Sequence, residues 1–292
     1  MRTEYDVYHD ESQIAGYWHG ILFVPRPSRQ QLLDLLANVR KNTGRTDPIS
    51  LKQLDKTSGP FYRCVNCWVQ VGVGAMLQRF KGKHYAIPTG QAGRASEFSP
   101  LTRIIGARFI LFRVVDGLKT LTLCSDHASR VETTFRMAFK GGLSLFSSVD
   151  ELCVRSLHFD GYKHYGRRLD LNRILRNIPP DGCEIPADMS LDDASSDHRE
   201  RDCQTYDDCQ LLQLADVLVS GFRVLGESTQ EAHRLACGPL VELADKWNRG
   251  RTGFSNSRWH LGFCISEASI EDGQWQFRPI DNLKPVEQPK LF

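Results

Sequence analysis

Two short runs, far apart in the chain, carry residue types that could do chemistry together. Tyr8-His9-Asp10-Glu11-Ser12-Gln13 sets adjacent carboxylates at the end of an alternating apolar stretch. Gln210-Leu211-Leu212-Gln213-Leu214-Ala215-Asp216 places another carboxylate inside an otherwise apolar helical run. Taking an ionised Asp out of water is costly unless a cation or hydrogen-bond donors meet it. A third acid, Asp126, closes the strand-like run 118–126. Drawn to one place, Asp10, Asp126 and Asp216 would repel one another and raise each other's pKa. Mg2+ or Mn2+ removes that conflict, because both are hard cations served by carboxylate and water oxygens. Two such ions, roughly 3.5–4 Å apart, can activate a water and stabilise the leaving oxygen of a phosphodiester. Glu11 or Asp208 would complete the shell. Gln213, three residues before Asp216 on the same helical face, would orient a metal-bound water or touch substrate.

These acids need elements to hold them. Tyr5, Val7 and His9 alternate with Asp6, Tyr8 and Asp10, the pattern of a strand, and residues 16–25 give a second. The short 11–15 connection makes them a hairpin with acids at its tip. Ser28 and Gln31 form a capping box ahead of a helix through Leu32, Leu36 and Val39, which Gly44 ends. Residues 61–78 read as a helix and 84–88 as a short strand. Ser99-Pro100 reads as a helix start leading into Ile104, Ile105, Phe109, Ile110 and Phe112. After the 118–126 strand, Ser129 with Glu132 caps another helix, and 152–159 is a further strand. A short helix over 169–178 precedes the turn signal Pro179-Pro180-Asp181-Gly182. Residues 206–225 and 230–247 are helical, and 259–265 and 274–280 are strand-like. The expected architecture is α/β: a mixed sheet opened by a β-hairpin, flanked by helices, with a C-terminal β-hairpin extension. Residues 1–226 form the main body, with 227–292 packed on it.

Composition bounds the function. Of 292 residues, 41% are hydrophobic and 25% charged, ordinary for a globular chain. The net charge of +2 conceals an asymmetry: ten acids against Arg199 and Arg201 give residues 181–208 a charge of −8, leaving +10 elsewhere. Low apolar content and high charge mark most of 188–202 as mobile. A basic body suits a polyanionic partner. Two loops mix cations with rings, 79–85 and 162–168, and offer Arg79, Lys81, Lys83, Lys163, Arg167 and Arg168 to phosphates. Either loop alone also reads as solvated charge. The nine cysteines show no disulfide framework, which fits a reducing cytoplasm. Cys64 and Cys67 have zinc half-site spacing, but they lack a second pair and lie in an apolar helical run, so they read as core. No membrane span or secretory leader is expected. Gly-x-Ser-x-Gly, phosphate-loop and His-Glu-x-x-His motifs are all missing from the sequence.

Asp10-Glu11 ending the first strand, with Gln213-Leu214-Ala215-Asp216 in a late helix, resembles the bacterial family called domain of unknown function 3800. The likeness runs over roughly 5–226. It implies an RNase H-like fold and a metal-dependent nuclease or related phosphoryl-transfer site, with Asp126 as the acid ending the fourth strand. The chain departs from the family in having Gln13 where Gly is common, and in its long acidic insert. The expected function is a two-metal, Mg2+- or Mn2+-dependent nuclease acting on DNA or RNA. The rival is a non-catalytic nucleic-acid-binding or assembly module of the same fold. A small-substrate phosphotransferase fits the basic body less well, and a protein partner or homodimer stays open.

Overall fold

A computed structural model describes residues 2–12, 16–77, 79–80, 99–100, 105–115, 124, 126–148, 150–160, 167–178, 180–194, 206–228, 230–241, 243–244, 262–272 and 274–278. The opening hairpin forms as expected. β1 (Thr3–Ser12) pairs antiparallel with β2 (Tyr17–Pro25), Asp10 opposite Gly20 and Glu11 opposite His19. α1 (Arg29–Thr43) follows. Gly44 ends it in the left-handed conformation at φ 64°. Ser28 makes no side-chain cap bond, because 26–28 is already a tight 3-10 turn. α2 (Gly59–Leu77) buries Cys64 and Cys67 among its apolar residues, so that pair is core.

The helix expected after Ser99-Pro100 is not there. Ser99–Pro100 (β4) pairs with Arg79–Phe80 (β3), and 108–114 is the strand β5 (Arg108–Val114). Phe109, Ile110, Leu111 and Phe112 are all buried, because β5 is covered on both faces. Such an unbroken apolar run fits a buried strand as well as a buried helix. The expected strands at 84–88 and 118–126 lie outside the described residues, apart from 124 and 126.

α3 (His127–Ser147) starts earlier than expected and is capped by Asp126, whose carboxylate accepts from Ser129 N at 2.6 Å. Ser129 and Glu132 therefore lie inside the helix. β6 (Leu152–Asp160) runs parallel to β1 and is flanked by β7 (Cys183–Glu184) and β8 (Ser190–Ala194), both parallel to it. Part of the acidic tract is thus an edge strand. Between β6 and β7, α4 (Leu171–Ile174) is a single turn. α5 (Tyr206–Glu227) is the long late helix, and α6 (Glu231–Ala236) the shorter one after it. β9 (Phe263–Glu271) and β10 (Gln274–Arg278) form the terminal hairpin.

These strands make one mixed eight-stranded sheet in the order β10-β9-β5-β2-β1-β6-β7, with β8 also on β6. β9 joins β5 in parallel, so the C-terminal hairpin extends the sheet itself. α3 covers one face, with Phe135 and Phe139 against His9, Phe159 and Phe23. α5 covers the other, backed by α1 and α2. A Cβ on Gly20 would stand 2.7 Å from Val219 Cβ, so a glycine there lets β2 and α5 approach closely. Among the described residues, no helix is long and apolar enough to cross a membrane.

Candidate active site: an acid pair between the first strand and a late helix

Side chains alternate across a strand, so β1 sends even and odd residues to opposite faces. Tyr8 faces α5, where its hydroxyl donates to Asp208 Oδ1 at 2.7 Å. Asp10 follows on the same face and meets Asp216 of α5, their carboxyl groups joined by a hydrogen bond. Asp10 is only 8% exposed. Burial, then the Asp216, Asp160 and Glu11 charges, push its pKa well above the usual carboxylate range. Burial also raises Asp216, against lowering by Ser220, whose hydroxyl donates to Oδ1 at 3.0 Å, and by the exposed Lys52. Two carboxyl groups side by side cannot both ionise readily, which favours keeping a proton on the pair.

The third acid is Asp160, which sequence reasoning missed. His9 is paired with Phe159 in the parallel β1–β6 ladder, so Asp160, one residue further on β6, ends its strand alongside Asp10. Its charge acts on both Asp10 and Asp216. The signal was present: the strand read as 152–159 is followed at once by a carboxylate.

The remaining expected ligands go elsewhere. Asp126 is exposed at the head of α3, where the Ser129 hydrogen bonds and then the nearby Arg167 hold its pKa down at about 2. It does not figure among the charges acting on Asp10. Glu11 faces the α3 side, accepting from Tyr17 OH, with His127 Nε2 at 3.3 Å. Burial alone would raise Glu11, but these two partners outweigh it and leave the pKa lowered. Asp208, two turns before Asp216, is committed to Tyr8 and to Arg29 Nη2 at 2.8 Å. Burial is again outweighed there, by His158, Tyr8 and Arg29, and its pKa falls.

Gln213 is buried and does not face the acids. Its Oε1 accepts from Arg40 Nη2 at 2.9 Å and from Ile49 N at 3.1 Å. Gln210 Oε1 accepts from Arg40 Nε at 2.8 Å, and the guanidinium lies 4.7 Å over the Trp68 ring. This group ties α1, α2 and α5 together, and so it positions the helix that carries Asp216. Of the basic loops, Arg167 spends its guanidinium on Glu132 at 2.7 and 3.0 Å and on Asp126. Arg168 is exposed. Lys81, Lys83, Lys163 and the Arg79 side chain lie outside the described residues.

Among the described residues, no group of three His, Cys, Asp or Glu side chains stands close enough to hold a metal ion. The structure brings together a directly bonded pair, Asp10 and Asp216, with Asp160 in electrostatic reach. Their oxygens are the hard donors that Mg2+ or Mn2+ takes, and a shared proton is what a cation displaces on binding. The donor chemistry therefore fits, while the three carboxylates stand apart as a cage. No family model, no curated protein and no solved structure matches the chain.

Proposed function

We propose that the chain is a divalent-metal-dependent nuclease of RNase H-like fold, akin to the domain of unknown function 3800 family, acting on DNA or RNA. The observation that carries this reading is the pairing of buried Asp10 with half-buried Asp216, with Asp160 ending the adjacent parallel strand. The order β5-β2-β1-β6-β8, three antiparallel strands followed by two parallel to the first, supports it, as does α5 after the last of them. Asp10, Asp216 and Asp160 would hold Mg2+ or Mn2+. The bound ions would supply an activated water and neutralise the leaving oxygen of a phosphodiester. On loading, Asp10 and Asp216 would exchange for a cation the proton that their raised pKa values favour, and so become its ligands. Ser220 fixes one Asp216 oxygen, and the Arg40–Gln213 network fixes the helix beneath it. Lys52, close enough to lower the Asp216 pKa, offers the phosphate a cation.

Labelled single- and double-stranded DNA and RNA, incubated with Mn2+, Mg2+ or chelator, test the reading. Cutting that depends on the metal is expected, with 5′-phosphate ends. The second reading, a binding module without catalysis, draws on the acids standing apart as a cage, and it predicts binding in chelator with no cutting under any condition.

A further inference from the structure

On the face opposite the acid pair, α3, β5, β9 and β10 enclose a groove of about 1020 Å³. Among the described residues, four cations line it, Arg136, Lys140, Arg176 and Arg278, and no carboxylate does. Arg136 and Lys140 are one helical turn apart on α3, and the groove runs on past them over Gly141 to Ser144. A Cβ on Gly141 would meet nothing within 4 Å, so this stripe is open. Arg136 Nη1 donates to Arg173 O at 3.4 Å, and Arg278 pairs with Glu271 outside the lining, on the exposed hairpin. Lys140 and Arg176 are exposed.

Beside these charges Phe277 is 58% exposed, an unusual place for a large apolar ring, and Met137 continues the apolar wall. Lys140, Arg176 and Arg136, which no carboxylate of the described lining matches, call for several negative charges on the ligand. A bare ring among them calls for a flat apolar group on that same ligand. Phosphates spaced along a strand carrying unpaired bases supply both, and ring–base stacking is tolerant of sequence. A single carboxylate would leave most of the cations unmet.

We infer that this groove is a second, non-catalytic binding site for single-stranded nucleic acid, with Lys140, Arg176, Arg136 and Arg278 on phosphates and Phe277 against a base. The choice of nucleic acid among polyanions rests on the nuclease reading. Lying across the sheet from Asp10, the groove would hold the strand away from the cut rather than at it.

The test is the fluorescence anisotropy of a short labelled oligothymidylate in chelator across a salt series. The double variant Lys140→Glu with Arg176→Glu should weaken binding at least about tenfold and flatten the salt dependence by roughly 1.4 in log–log slope, about 0.7 per lost phosphate contact. Phe277→Ala should weaken it about fivefold or more with the slope unchanged. The three residues are exposed, and an unchanged melting curve checks the fold. If the charge-reversed variant did not fold, Phe277→Ala and Lys140→Ala would decide by the same measures. Affinity within about twofold of wild type in these variants would overturn the site. So would an acidic peptide that binds the groove where the oligonucleotide does not. Tight, groove-dependent binding with no cutting in Mn2+ would sink the nuclease reading and leave this site standing.

Discussion

At the scale of single residues, the acid pair bears on stability as well as on the proposed chemistry. The folded chain raises the pKa of Asp10 and Asp216, so it binds protons more readily there than the unfolded chain does. A raised carboxyl pKa leaves stability intact below the ordinary value of about 4, and stability falls as pH climbs from there through the folded value. Metal-free protein should therefore lose stability across that window, and Asp216→Asn should lose less of it, since burial and Asp160 still act on Asp10. Near neutral pH the variant should be more stable than wild type, because one of two carboxyl groups whose ionisation the fold opposes is gone. Mn2+ should raise the melting temperature of wild type and not of the variant. Melting curves over pH, with and without Mn2+, check both, and a variant less stable than wild type would mean the pair is not strained. Asp126 behaves in the opposite sense, its lowered pKa favouring the fold until pH drops through about 2.

At the scale of elements, the question is how each acid reaches its place. β1 was legible from its alternation, and α5 from its apolar spacing and length. The order in which β-strands pair was not, because pairing is set by contacts between residues far apart in sequence. That is why Asp126 stood in for Asp160: both follow apolar runs, and only the β1–β6 ladder distinguishes them. Glu11 adjoins Asp10 in sequence yet faces the other side, as strand alternation requires. Gln213 looked like a catalytic neighbour because a helix face holds i and i+3 together, but a buried guanidinium claims it. The Arg40 group makes a prediction of its own. Gln213→Ala leaves Arg40 and the Ile49 amide short of an acceptor in a buried setting, and should cost about 1–3 kcal/mol. Denaturant unfolding measures it; a loss of activity without that destabilisation would instead place Gln213 at the reaction.

At the scale of the whole molecule, the sheet does not stop at 226. β9 pairs with β5 from Phe109 to Val114, and Phe263, Ile265 and Ala268 are buried in that contact. Phe263 also packs 5.1 Å from the Phe222 ring of α5, joining the terminal hairpin to the helix that bears Asp216. A chain ending at Ala244 would expose β5 as a long apolar edge, the kind of edge that aggregates. It should be insoluble, or should melt far below the full chain, as size-exclusion and thermal scans would reveal; a stable monomer would show the extension to be dispensable. The composition pointed to a basic body and assigned its cations to two loops. Arg167 of one is spent on Glu132 and Asp126, most of the other lies outside the described residues, and the cationic groove lies where α3, the 176–177 segment and the terminal hairpin come together.

We propose that Asp10, Asp160 and Asp216, and not Asp126, form the reacting centre. Metal-dependent cleavage should be compared in wild type and in Asp10→Asn, Asp160→Asn, Asp216→Asn and Asp126→Asn. Cutting should be lost in the first three variants and kept in Asp126→Asn. Cutting that survives Asp160→Asn but fails in Asp126→Asn would contradict it.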